Sequence, residues 1–248
     1  MSAAAIRVDD ADGVRLVTWD RPDALNAMSL ELWDGTRDAL RSAADDGVRC
    51  IVLTGVGRGF TVGQDLAEMT DPRHADGSRG FRGVMAALAD LDVPLVAAVN
   101  GLAVGFGTTL LPWCDIVLAS EAARFRVPFV GLGVTCEAAS SVTLAEAMGP
   151  QAAAEFVLTG RWLSASEALA AGLCSRVVPA DELVPVAMAL AAQLAAQPPI
   201  ALRTTTRLLH ADRRARWAAA IERENAEFAT LAGGPENLAA IEAFFTKS

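Results

Sequence analysis

Metal-binding and redox side chains are scarce in this sequence. Two histidines, His74 and His210, and four cysteines, Cys50, Cys114, Cys136 and Cys174, are spread over 248 residues with no CxxC pair. Those spacings argue against a zinc site and a disulfide framework, so no metal is expected and the cysteines read as small buried hydrophobes. Free thiols fit a reducing cytosol, and a cytoplasmic location is expected. Positive charge is also short: 21 Lys+Arg against 30 Asp+Glu gives a net charge of −9. That balance argues against a nucleic-acid partner. The stretch from Met1 to Asp10 has neither the basic start nor the long apolar run of a signal peptide. No fixed-period repeat and no long polar linker is visible. With 52% hydrophobic and 21% charged residues, the chain is too apolar for disorder and long enough for one ordinary domain with a full core.

One run needs a membrane test. Val93 to Trp113 carries no charge, is long enough to span a bilayer, and contains a GxxxG spacing at Gly101 and Gly105. Pro94, Asn100, Gly107 and Pro112 interrupt it, and Leu95–Val99 reads as a buried strand. Strand, glycine-rich turn and helix is the better reading, and no membrane span is expected.

Val14 to Trp19 alternates as a strand does, and Cys50 to Thr54 and Ile116 to Ala119 are short apolar strands. Ser29 is a candidate cap for a helix from Leu30 to about Ala44, with Glu31 favourable in its first turn. Phe81, Val84, Met85, Leu88 and Leu91 keep helical spacing. Gly55 to Asp65 holds four glycines and reads as a loop; Pro72 to Gly80 is polar and reads as a mobile loop. Strands alternating with helices imply parallel strands joined by crossover helices. From Val142 onward the pattern is helical, with candidates at 142–148, 151–158, 166–171, 181–196, 200–210 and 213–230. The expected class is an α/β core followed by helices.

Two turns could carry chemistry. Gly59-Phe-Thr-Val-Gly63-Gln64-Asp65-Leu66 and Asn100-Gly101-Leu-Ala-Val-Gly105-Phe106-Gly107-Thr108 each follow a strand. Glycines there permit unusual dihedrals and close approach of a ligand. Two converging N–H groups would suit an oxyanion; two ordinary tight turns are the plainer alternative. Neither is a dinucleotide GxGxxG opening, and neither has the lysine of a P-loop.

These turns, together with Arg21-Pro-Asp-Ala-Leu-Asn-Ala27, the Pro94–Gly107 segment, Cys114-Asp115 and Leu158 to Leu173, resemble the enoyl-CoA hydratase/isomerase (crotonase) superfamily along almost the whole chain. The resemblance implies a crotonase-like spiral of ββα units, over 1–195, and a helical C-terminal trimerisation region, over 196–248. It implies an acyl-CoA substrate, no cofactor beyond the CoA of that substrate, and a homotrimer or dimer of trimers. By position, the oxyanion donors are the N–H groups of Gln64 and Phe106, and the CoA thioester lies along Ala24, Leu25, Val62, Gln64, Asp65, Leu66 and Ala67.

The departures from the family pattern carry the specific expectation. Hydratases of the family activate water with two carboxylates. One of those positions is Thr109 here, and the other, after Pro128, is Phe129. Neither side chain can take a proton from water near neutral pH. A carboxylate does occur at Glu137, the position of the single catalytic Glu in the resembling Δ3,Δ2-enoyl-CoA isomerases. That branch also often has a large residue at the Phe106 position and a non-acidic one at Thr109. Moving a double bond needs one base that returns its proton, so one carboxyl suffices. An apolar pocket would raise its proton affinity, with Phe129, Phe106 and Trp113 as candidate walls. The plainer alternative is that Glu137 caps a helix starting near Ala138. The leading expectation is a 3-enoyl-CoA to 2-enoyl-CoA isomerase. The alternatives are an enoyl-CoA hydratase of fatty-acid β-oxidation and a non-catalytic acyl-CoA binding protein.

Four lesser expectations remain. Asp65 organises its loop by accepting N–H bonds, and Asp115 is structural. Pro112 lies early in a helix starting near Thr108. Arg213, Arg214 and Arg216 form a solvated helix face rather than a phosphate site. Phe244, Phe245 and Lys247 resemble the terminal helix that in relatives approaches a neighbouring CoA site.

Overall fold

The computed structural model describes residues 4–68, 73 and 76–246. Strands β1 (Ile6–Ala11) and β2 (Val14–Trp19) form an antiparallel hairpin around Asp12-Gly13. Both turn residues have positive φ, 52° and 78°, which matches the twist of a two-residue hairpin. β2 then opens a parallel run through β3 (Cys50–Gly55), β5 (Leu95–Val99), β7 (Ile116–Ser120) and β10 (Arg176–Val178), giving the order β1-β2-β3-β5-β7-β10. A smaller sheet has the order β4-β6-β8-β9, from Gly59–Thr61, Leu102–Val104, Arg124–Arg126 and Leu163–Ser164. β3, β5 and β7 thus each lead to a short strand in the other sheet and then to a helix. The repeats are β3–β4–α2 (Gly80–Asp90), β5–β6–α3 (Phe106–Thr109) and β7–β8–α4 (Ser140–Met148). This is the expected spiral of ββα units.

β4 and β6 correct the reading of both glycine-rich segments as plain turns. They have three residues each and no visible alternation, because glycines surround them. The glycines allow close approach: a Cβ at Gly101 would sit 2.0 Å from the Arg58 carbonyl oxygen. The hairpin strand β1 and the strands β8, β9 and β10 are also additions to the sequence reading.

The period of two along β3 divides the core. Ile51 and Leu53 face a cluster with Trp19, Trp33 of α1 (Leu30–Ser42) and Phe60. Cys50 and Val52 face the other side, with Val96, Ala98 and Leu118, under α7 (Leu183–Ala195). Ala187, Ala191 and Ala195 recur every four residues on α7 and are buried there, so one small-residue stripe lies against the sheet. Cys50, Cys114 and Cys174 are buried, whereas Cys136 is half-buried. Burial pushes the Cys50 thiol up to about 12 and the Cys174 thiol up to about 11.

Ser29 Oγ accepts from Leu32 N at 3.4 Å, as expected of the α1 cap. α3 stops after one turn, so Pro112 is not part of it. Pro112 sits instead in a separate 3-10 turn, Leu111–Trp113, because it has no N–H to continue an α-helix. The Val93–Trp113 run is therefore divided among β5, β6, α3 and this turn. Among the described residues no single helix is long and apolar enough to cross a membrane.

α4 is followed by α5 (Pro150–Thr159), α6 (Ala165–Ala171), α7, α8 (Pro199–Leu231) and α9 (Pro235–Thr246). The helices expected at 200–210 and 213–230 are one helix of 33 residues. The intervening Ala211-Asp212 is polar but contains no breaker. α8 buries Trp217 and Ala220 in the main core. The expected loop Pro72 to Gly80 falls partly outside the described residues, as do His74 and Lys247.

Candidate active site

The two glycine turns meet. Met28 N donates to Gly63 O at 2.8 Å and Asp65 N donates to Met28 O at 3.2 Å, bracketing Gln64. Phe106 opens α3, where the first N–H groups have no partner inside the helix. Among the described residues, neither the Gln64 nor the Phe106 N–H has a hydrogen-bond acceptor. A Cβ at Gly63, where φ is +82°, would sit 3.0 Å from Val104 O and 3.3 Å from Phe106 N. Only glycine lets the turns approach this closely.

Both side chains are occupied elsewhere. Trp33 Nε1 donates to Gln64 Oε1 at 3.0 Å, and Gln64 Nε2 donates to Asp65 O at 3.1 Å. The Phe106 ring packs 4.5 Å from Trp33 and 6.0 Å from Phe81, centroid to centroid. The Phe106 ring therefore belongs to an aromatic cluster with Trp33 of α1 and Phe81 of α2.

The Ala24–Leu25 and Val62–Ala67 segments form one connected edge. A 3-10 turn, Pro22–Ala24, leads into Leu25 and Asn26 with φ of 51° and 57°. The Asn26 side chain holds that turn, donating to Gly59 O at 2.7 Å and Val56 O at 3.0 Å while accepting from Arg21 N at 2.8 Å. Asp65 behaves as expected: Oδ1 accepts from Ala67 N at 3.0 Å, and Oδ2 pairs with Arg21 Nη1 at 3.0 Å. Ala24, Leu25, Val62, Gln64, Asp65 and Leu66 are half-buried and Ala67 is exposed.

Glu137 is hydrogen-bonded to the last residue of α3. Thr109, fully buried and one turn beyond Phe106, donates from Oγ1 to Glu137 Oε1 at 2.5 Å. Glu137 is half-buried as a residue, but its carboxyl is desolvated. That desolvation pushes its pKa from 4.5 up to about 8, against the lowering effect of Thr109 and with a smaller upward push from Glu224. Phe129 is buried, and its Cε1 lies 3.7 Å from the Cβ position at Gly105. Trp113 Nε1 donates to Ala138 O at 2.8 Å, so it supports the Glu137 segment through the backbone.

Glu137 is not a helix cap. α4 begins at Ser140, and its N-terminal amides are met by a residue far along the chain. Glu224 of α8 accepts from Ala139 N at 2.7 Å and from Ser141 N at 2.8 Å. Burial raises the Glu224 pKa, and the bonds to Ser141 and Ala139 oppose that. Sequence reasoning missed Glu224. A signal existed: Trp217, Ala220 and Glu224 continue one helical stripe, and all three are buried.

Asp115 accepts from Leu95 N at 2.9 Å and approaches His210 Nε2 at 2.6 Å, a structural role as expected. The arginine cluster docks α8 rather than facing solvent as a group. Arg213 lies over Trp217, Arg214 donates to Leu91 O and Arg216 pairs with Glu146. The side chains of Phe244 and Phe245 lie outside the described residues. A polar hollow around Asp34, Arg37, Asp76 and Arg79 contains none of the site residues, and Arg37 and Arg79 are paired with Asp34.

A ββα spiral whose glycine turns bring two unbonded amides together is the crotonase class of fold. This chain belongs to the enoyl-CoA hydratase/isomerase family, whose description matches residues 9–246. It is 35% identical over 236 residues to the 2,3-dehydroadipyl-CoA hydratase of Escherichia coli (strain K12), covering 94% of this chain and 92% of that protein. It is 32% identical over 248 residues to enoyl-CoA delta isomerase 2 of Rattus norvegicus, covering 98% of this chain and 63% of that protein. The crystal structure of an enoyl-CoA hydratase/isomerase from Pseudoalteromonas atlantica T6c matches with a TM-score of 0.94 at 37% identity, covering 98% of this chain and 97% of that one.

Proposed function

We propose that the chain is an acyl-CoA isomerase that moves a double bond from C3–C4 to C2–C3 of a 3-enoyl-CoA. The observation that carries this reading is a desolvated Glu137 carboxyl held against α3 by Thr109. It is the acid at this place with an oxygen still available: each Glu224 oxygen takes a backbone N–H. Thr109 and Phe129 stand where a water-activating pair would be needed.

In this reading the thioester CoA lies along Ala24, Leu25 and Val62–Ala67. The ionised Glu137 removes a proton from C2. Electrons shift to give a dienolate, and the N–H groups of Gln64 and Phe106 hold its oxygen. Protonated Glu137 then gives the proton to C4, and the C2–C3 double bond forms. Atoms and charge balance without water, redox partner or metal, so no cofactor beyond the substrate's CoA is required. A pKa near 8 keeps the acid and base forms both reachable close to neutral pH. This reading includes assembly as a homotrimer or dimer of trimers, which would cover the exposed Ile200, Leu208 and Leu209 of α8.

The test is conversion of a 3-enoyl-CoA, followed by the absorbance of the conjugated thioester. Glu137→Gln should lower kcat by about 10²–10⁴-fold. Full activity in that variant removes the assigned base. The likeness to a hydratase favours a second reading, water addition to a 2-enoyl-CoA such as crotonyl-CoA. Hydration without isomerisation would establish it. Binding of CoA thioesters with no turnover of any enoyl isomer would identify a binding protein.

A further inference from the structure

We propose that Glu224 is a positioning residue for Glu137, setting the backbone that aims the carboxyl at Thr109 and the substrate. This rests on the reading of Glu137 as the base. The two residues after Glu137 are alanines with φ of 57° and 62°. Non-glycine residues rarely adopt that left-handed region, and two in succession persist only when the surroundings impose it. Three hydrogen bonds do so. Trp113 Nε1 donates to Ala138 O at 2.8 Å, and Ala139 N and Ser141 N donate to the two oxygens of Glu224 at 2.7 and 2.8 Å.

The arrangement divides two tasks between two carboxylates. A helix start needs an acceptor for its unpaired amides, and an acid near that end is favourable. Glu137 is the nearest acid in sequence and would be the natural local cap. With Glu224 supplying both acceptors from α8, Glu137 turns instead to Thr109. α8 packs beside this segment through Trp217, whose ring lies 4.7 Å from Trp113.

The test compares kcat and KM for a 3-enoyl-CoA in wild type, Glu224→Gln and Glu146→Ala, with crystal structures of wild type and Glu224→Gln. Glutamine keeps one acceptor oxygen and sets an NH2 against the other amide. Glu224→Gln should lower kcat about tenfold to a hundredfold, as a displaced base does, with KM within twofold. Its Ala138 or Ala139 should leave the left-handed region and the Glu137–Thr109 bond should open. Glu146→Ala removes other α4–α8 contacts and should lower the melting temperature with kcat within twofold. A Glu224→Gln kcat within twofold of wild type overturns the proposal, and so does an equal kcat loss in Glu146→Ala. Should Glu224→Gln not fold, Glu224→Asp replaces it, with lower kcat at constant KM expected and unchanged kcat overturning. If wild type turns over no 3-enoyl-CoA, the isomerase reading fails by itself. The crystal structures still decide the positioning role, and an unmoved Glu137 would overturn it.

Discussion

Thr109 Oγ1 donates to Glu137 Oε1 at 2.5 Å, tying the helix that starts at the Phe106 amide to the loop ahead of α4. The bond fixes an acidic side chain relative to the turn proposed to hold the oxyanion, with one hydroxyl between them. Thr109→Val keeps shape and removes the donor. The bond lowers the Glu137 proton affinity, so its loss should move the pH midpoint of kcat/KM upward and reduce the rate at pH 7 several-fold. Initial rates across pH 6–9.5 check this.

In the proposed isomerisation, Glu137 must be ionised before it can take the C2 proton. Its pKa of about 8 therefore predicts that kcat/KM rises with pH through about 8 and levels above it. A profile already flat from pH 6 would show that Glu137 has an ordinary carboxylate affinity.

Stability should run the opposite way. The folded protein binds the Glu137 proton more tightly than the unfolded chain, whose value is near 4.5. The contribution is full below about 4.5 and is lost as pH rises through about 8. Each tenfold change in proton affinity corresponds to about 1.4 kcal/mol. Glu137→Gln should therefore be more stable than wild type at pH 9 and lose the difference toward pH 5. Urea unfolding at the two pH values measures it.

In the proposed mechanism, Gly63→Ala should disable the turn that holds the oxyanion. Its φ of +82° and the 3.0 Å approach to Val104 O leave no room for a methyl group. Displacing one oxyanion donor costs about 10²–10³ in kcat, and steady-state kinetics would show that loss with folding retained by circular dichroism.

Asp65→Ala removes the acceptor for Ala67 N and the partner of Arg21. Charged hydrogen bonds of this kind contribute roughly 1.5–3 kcal/mol when buried, and less at this half-exposed edge. KM for a CoA thioester should rise about fivefold or more, with kcat changed less. An unchanged KM would place the CoA elsewhere.

Long apolar strands made the parallel α/β core legible in the sequence and the glycine spacing made both turns candidates, whereas the spiral of ββα units came from the family resemblance. Val14–Trp19, Cys50–Thr54, Leu95–Val99 and Ile116–Ala119 carry enough pattern to be seen alone. β4, β6 and β8 do not, because three residues paired across a second sheet leave no periodic trace. The hairpin at Asp12-Gly13 carries a turn signature of its own. Glu137 stood out by position, yet its freedom from capping depends on Glu224, 87 residues later, which looks like any helical surface acid. The Phe106 ring packs against Trp33 and Phe81, two residues far away in sequence, so that cluster was not legible from spacing.

The most direct test uses 3-enoyl-CoA deuterated at C2, with wild type and Glu137→Gln. A single acid that takes and returns the hydrogen predicts 2-enoyl-CoA with part of the deuterium at C4, and a rate in Glu137→Gln reduced by about 10²–10⁴. Equal rates in the two proteins, or a hydrated product in place of the isomer, would contradict the account.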